Sequence, residues 1–82
     1  MILVDVNVPS VENTYYFKLN EDALIGDIIG EVVQLVSQKE RCHLVGESKE
    51  LMLTHLRTGM ILDRNKTLYE SGVVSGDRLL LV

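Results

Sequence analysis

Between residues 25 and 36 apolar side chains recur at three- and four-residue spacing: Ile25, Ile28, Ile29, Val32, Leu35 and Val36. That spacing is the signature of an amphipathic helix with a broad apolar stripe, which something else in the fold has to cover. The opposite face carries Asp27, Glu31, Gln34 and Gln38. Asn20-Glu21-Asp22 supplies oxygens that could cap the helix, and Asp27 falls where a first-turn acid complements the helix dipole. Gly26 and Gly30 cost such a helix about 1 kcal/mol each relative to alanine. A GxxxG pair suggests membrane dimerisation only inside an apolar stretch of about 20 residues, and this helix is charged. Close packing of helix against sheet is the expected reason for the pair.

The covering layer is legible on both sides of the helix. Ile2, Val4, Val6 and Val8 alternate with Leu3, Asp5 and Asn7, the period-two pattern of a half-buried strand, and Pro9-Ser10 breaks it. Thr14 to Leu19 reads as a second strand, with Tyr15, Phe17 and Leu19 on one face and Tyr16 and Lys18 on the other. The two form an N-terminal hairpin. After the helix, which ends at Lys39-Glu40-Arg41, comes a polar connection containing Gly46. Leu51 to Leu56 then reads as a third strand, Arg57-Thr58-Gly59 as a tight turn, and Met60-Ile61-Leu62 as a short fourth strand. Lys66 to Val73 is expected to make a short helical turn anchored by Leu68 and Val73. Val74-Ser75-Gly76-Asp77 leads into a last strand, Arg78 to Val82. The fold class is α+β, in the order ββαββ, short helix, β, over a single domain spanning residues 1–82.

Charge and composition exclude several kinds of partner. Eight basic against twelve acidic residues give a net charge of −4, and the basic ones are scattered, so neither nucleic acid nor an anionic membrane surface is expected. No apolar run approaches the roughly 20 residues of a membrane span, and Met1 to Asp5 has no basic segment of the kind that opens a signal peptide. Cys42 is the single cysteine, which fits a reducing, cytoplasmic setting. Apolar residues make up 46% of the chain. Either the core is dense with aliphatics or part of that surface stays outside for a partner to cover.

Catalytic machinery is not visible. Cys42-His43 is the one nucleophile–base pair by name, but sequence neighbours point different ways, and a dyad needs its side chains within hydrogen-bond reach. A metal site built from Cys42, His43 and His55 would need a fourth ligand and has no recognised spacing. The acids are dispersed and offer no paired carboxylates. No catalytic residue, metal ligand or cofactor is therefore expected.

The order of elements resembles that of ubiquitin, the β-grasp fold. Gly59, Leu62, Thr67-Leu68, Val73 and Leu79-x-Leu81 fall at the spacings of its third-strand turn, its late turn and its final strand. Within the ubiquitin-like proteins the likeness is to the YukD/EsaB group of bacterial type VII secretion systems. The start Ile2-Leu3-Val4-Asp5-Val6 and the ending Leu68-Tyr69-Glu70-Ser71-Gly72-Val73-Val74-Ser75-Gly76-Asp77-Arg78-Leu79 carry it, above all the close from Ser71 to Leu79. The resemblance implies an accessory role in the export of small helical-hairpin substrates, exercised by binding another protein, which could be a secretion component or a second copy of the chain. The alternative is a modifier or sulfur carrier. Such proteins are activated at a flexible Gly-Gly tail, and this sequence instead reaches Leu79-Leu80-Leu81-Val82 still in a strand. A β-grasp enzyme subunit or ligand binder ranks last, for want of a polar cluster that could line a pocket.

Two registers are open to the third strand. If Leu51 and Leu53 face the helix, so does His55, and Thr54 and Leu56 face outward; the opposite register buries Met52, Thr54 and Leu56. The first hides more aliphatic area and places Leu56 where ubiquitin has an exposed isoleucine, and it is the expected one. His55 is then a partly buried, hydrogen-bonded histidine. The outer face of the sheet carries Leu56, Leu80 and Val82, with Leu3 and Tyr16 nearby. Leu3, Leu56, Leu80 and Val82 are the expected partner-binding residues.

Overall fold

The computed structural model describes residues 1–41 and 51–82. Five strands form one mixed sheet: β1 (Ile2–Val8), β2 (Asn13–Leu19), β3 (Leu53–His55), β4 (Met60–Ile61) and β5 (Arg78–Leu81). Their spatial order is β2-β1-β5-β3-β4. All neighbours are antiparallel except β1 and β5, which run parallel at the centre. One helix, α1 (Ile25–Glu40), covers a single face of this sheet.

The alternation in the sequence sets which face that is. Val4, Val6 and Val8 of β1, Phe17 and Leu19 of β2, Leu53 of β3 and Leu79 and Leu81 of β5 all turn inward. They meet the stripe Ile25, Ile28, Ile29, Val32 and Val36 of α1, while Leu35, at the border of the stripe, stays exposed. This shared core is almost wholly aliphatic.

Two local expectations are revised. Asn20-Glu21-Asp22 does not cap α1. The residue before the helix is Leu24, without a side-chain cap. The first helical N–H groups donate instead to the loop after β4: Ile25 to the Lys66 carbonyl at 2.8 Å and Gly26 to the Arg64 carbonyl at 3.0 Å. Backbone carbonyls satisfy those donors as well as a serine or aspartate would. The glycine pair is not a helix–sheet contact either. A Cβ on Gly26 would stand 3.3 Å from the Arg64 carbonyl, so Gly26 admits the loop, whereas Gly30 has open space around it.

The short helix expected before the last strand is one turn with the caps of a helix. Thr67 and Glu70 exchange hydrogen bonds, Glu70 N–H to Thr67 Oγ1 at 3.0 Å and Thr67 N–H to Glu70 Oε1 at 3.1 Å, the reciprocal pattern of a capping box. Its far end closes with Val73 N–H on the Leu68 carbonyl and Gly72 N–H on the Tyr69 carbonyl, with Gly72 at φ +77°. This is a Schellman closure, and Leu68 and Val73, at the two positions whose side chains such a closure brings together, are both buried.

Candidate functional site

The inward positions fix the outward ones, because successive side chains of a strand alternate between faces. Leu53 and His55 are buried and Leu56 is 46% exposed, so β3 adopts the register that hides more aliphatic area. On β5, Leu79 and Leu81 are buried, Leu80 is half-buried and Val82, just past the strand, is 48% exposed.

Pairing between strands then assembles the outer face row by row. Thr54 lies beside Leu80 on one side and Ile61 on the other. Met52 and Val82 exchange backbone hydrogen bonds of 2.6 and 3.0 Å, which continues the ladder beyond β3. Leu56 N–H donates to the Arg78 carbonyl at 3.0 Å, which sets Leu56 beside Arg78. Met52, Leu56, Ile61, Leu80 and Val82 therefore surround Thr54 on the β5-β3-β4 half of the sheet. Ile61, 59% exposed, and Met52 are members that sequence reasoning missed. Their facing depends on the β3–β4 register and on the ladder past β3, neither of which shows as periodicity in so short a strand.

Leu3 does not join them. It is 47% exposed, but it sits opposite Lys18 and accepts the Gly76 N–H at 2.8 Å. Leu80 lies beside Asn7, four residues further along β1, or about 13 Å at 3.3 Å per residue. Between them stands Asp5, paired with Tyr16 on β2 and Arg78 on β5, with the Arg78 guanidinium 3.9 Å from its carboxylate. The remaining outward residues of this half are polar as well: Asn7 Nδ2 donates to Thr14 Oγ1 at 3.0 Å, and Lys18 lies exposed on β2. Tyr16 belongs to this polar half. The expected patch thus loses Leu3 and gains Met52 and Ile61.

A second cluster lies at the base of the aliphatic half. His55 is only 2% exposed, and its Nε2–H donates to Asp77 Oδ2 at 2.8 Å, the carboxylate being an acceptor only. Asp77, 8% exposed, also receives the Val74 N–H at 3.0 Å and two N–H groups of Arg57 at 3.1 and 3.2 Å. The Arg57 guanidinium reaches on to the Gly72 carbonyl. Burial pushes the Asp77 carboxyl up, but the Val74 N–H, the Arg57 guanidinium and the His55 ring outweigh it and hold the group below its ordinary value. The hub ties the end of β3, the start of β5 and the turn between them, and so fixes the backbone on which Leu56 is mounted. The hydrogen bond expected for a partly buried His55 is present, but the ring is wholly buried, and its partner Asp77 lies 22 residues along the chain.

Among the described residues, no group of three or more His, Cys, Asp or Glu side chains could hold a metal ion. No helix there is long and apolar enough to cross a membrane. Cys42 and His43 lie outside the described residues.

No protein-family model matches the chain, and no curated protein is significantly similar to it. Solved structures are similar in fold. The EccD5 ubiquitin-like domain from Mycobacterium xenopi matches 99% of this chain and 91% of its own at a TM-score of 0.77 and 24% identity. The Caldiarchaeum subterraneum ubiquitin matches over 98% and 89% of the two chains, with a TM-score of 0.68 and 17% identity. A ubiquitin-like domain of an Arabidopsis thaliana protein matches over 99% and 74%, with a TM-score of 0.74 and 17% identity. With the mixed five-stranded sheet and its single covering helix, these likenesses establish the ubiquitin-like β-grasp fold of this chain.

Proposed function

We propose that residues 1–82 form one non-catalytic, cytoplasmic ubiquitin-like adaptor that docks another protein on the β5-β3-β4 half of its outer sheet face. The observation that carries this reading is the clustering of Met52, Leu56, Ile61, Leu80 and Val82 around Thr54. Burying a half-exposed aliphatic side chain in an interface contributes roughly 1 kcal/mol, so a cluster of this size can anchor a partner without any charged contact. Beneath it, the Asp77 hub holds the backbone fixed, which lowers the ordering cost of docking. The partner we propose is a component of a type VII secretion system. Two things support that choice: the resemblance of the Ser71–Leu79 close to the YukD/EsaB group, and the match in fold to the EccD5 domain.

Affinity capture from cells that carry such a system, read by mass spectrometry, tests the proposal. The unmodified domain is expected to retain a secretion component, and Ile61→Asp and Leu56→Asp to lose it while melting within a few degrees of the parent. Retention of the same component by both variants would sink the reading.

A further inference from the structure

Among the described residues the sheet has a second unpartnered feature, the open edge of β2, and its hydrogen-bonding groups can be assigned. Asp5 N–H donates to the Asp77 carbonyl, on the β5 side of β1 and away from β2. Asp5 and its β2 partner Tyr16 are therefore a non-hydrogen-bonded pair of the antiparallel ladder, so the N–H and C=O of Tyr16 also point away from β1, into the open edge. Lys18, two residues on, presents its groups the same way. So does Thr14, except that its N–H is already taken by Asn13 Oδ1 at 2.9 Å. Tyr16 and Lys18 thus offer two complete donor–acceptor sets at the margin of a seven-residue strand. A strand edge of this length, guarded by one lysine, is a template for another strand.

We propose that two copies of this chain pair antiparallel through β2, joining their sheets into one. The self-complementarity of the strand selects a second copy as the occupant. With the two-fold axis at Phe17, each Tyr16 lies opposite the Lys18 of the other copy. Four backbone hydrogen bonds then form from the free sets alone, and the Asn13–Thr14 bond is left in place. The lysine ammonium meets a tyrosine ring across the pair, a favourable cation–aromatic contact, and no like charges face each other. A single strand pair buries less than the roughly 1,200 Å² of a stable complex, so this dimer is weak and concentration-dependent. It uses the opposite margin of the sheet from the aliphatic half, and it does not depend on the docking proposed there.

Sedimentation equilibrium of the whole chain from about 10 μM to about 1 mM tests it. The parent is expected to show a monomer–dimer equilibrium. Tyr16→Lys sets two lysine pairs face to face and is expected to weaken the dimer about tenfold, whereas Tyr16→Glu, opposite the same lysines, tightens it. Lys18→Pro removes an outward N–H while sparing every bond to β1, and is expected to abolish dimerisation without unfolding the strand. Tyr16 is exposed, so the lysine and glutamate variants are not expected to disturb the core. Ile61→Asp is expected to leave the dimer unchanged, which separates this interface from the docking face. A parent that stays monomeric throughout, equal dimerisation of Tyr16→Lys and Tyr16→Glu, or a dimer lost only in Ile61→Asp would each overturn the proposal.

Discussion

The two halves of the outer sheet face are built on the same inner layer and differ only in what they turn outward. Under both, the inward positions are apolar: Val4, Val6, Val8, Phe17 and Leu19 on β1 and β2, and Leu53, Leu79 and Leu81 on β3 and β5. Outward, β1 and β2 carry Asp5, Asn7, Thr14, Tyr16 and Lys18, with Leu3 the one aliphatic. Met52, Leu56, Ile61, Leu80 and Val82 are the outward residues around Thr54 on the other half. A strand of this sheet therefore holds its place without apolar groups on the solvent side. The outward aliphatics of the second half are not a by-product of strand propensity, and the docking proposed above is the use we assign them.

Substitutions can break that comparison, and the inner layer gives the largest effect. Leu79→Ala empties a fully buried position, and urea denaturation is expected to show a loss of about 3 kcal/mol. Asp77→Asn comes next. It leaves His55 and Arg57 without the carboxylate they share, at a cost of about 2 kcal/mol.

The same hub ties stability to pH. The Asp77 carboxyl sits lower in the folded chain than its ordinary value of 3.8, so its contribution is complete above that value and is lost as the pH falls through the lower folded one. Urea midpoints measured downward from pH 5 are expected to fall in that window, and to fall less in Asp77→Asn. The smallest effect belongs to Leu80→Ser, expected within about 1 kcal/mol of the parent although it lies next to Leu79. A cost for Leu80→Ser equal to that for Leu79→Ala would make the two faces alike and remove the contrast.

Much of this was legible in the sequence because a period of two leaves little freedom once one face is buried. The inward set of β1, β2 and β5 follows from alternation, and the facing of Leu53, His55 and Leu56 from alternation, aliphatic area and the likeness to ubiquitin at Leu56. What alternation does not carry is position across strands. Leu3 and Leu80 both read as outward aliphatics, and only the parallel β1–β5 register shows that Asp5 and Arg78 stand between them. Met52 was visible only as the losing side of a register choice, and Ile61 sits in a strand of two residues, too short to show a period. The capping of α1 by the Arg64 and Lys66 carbonyls was hidden for a related reason. Backbone acceptors leave no residue-type signature, whereas Asn20-Glu21-Asp22 offered a conspicuous one that the fold does not use.

Site-specific photocrosslinking in cells carrying a type VII secretion system separates the two halves in one measurement. A crosslinking amino acid at Ile61, in the aliphatic half, is compared with the same group at Leu3, in the polar half and about equally exposed. Adducts to a secretion component are expected from position 61 and not from position 3. Adducts from position 3 with none from position 61 would contradict the assignment of docking to the β5-β3-β4 half.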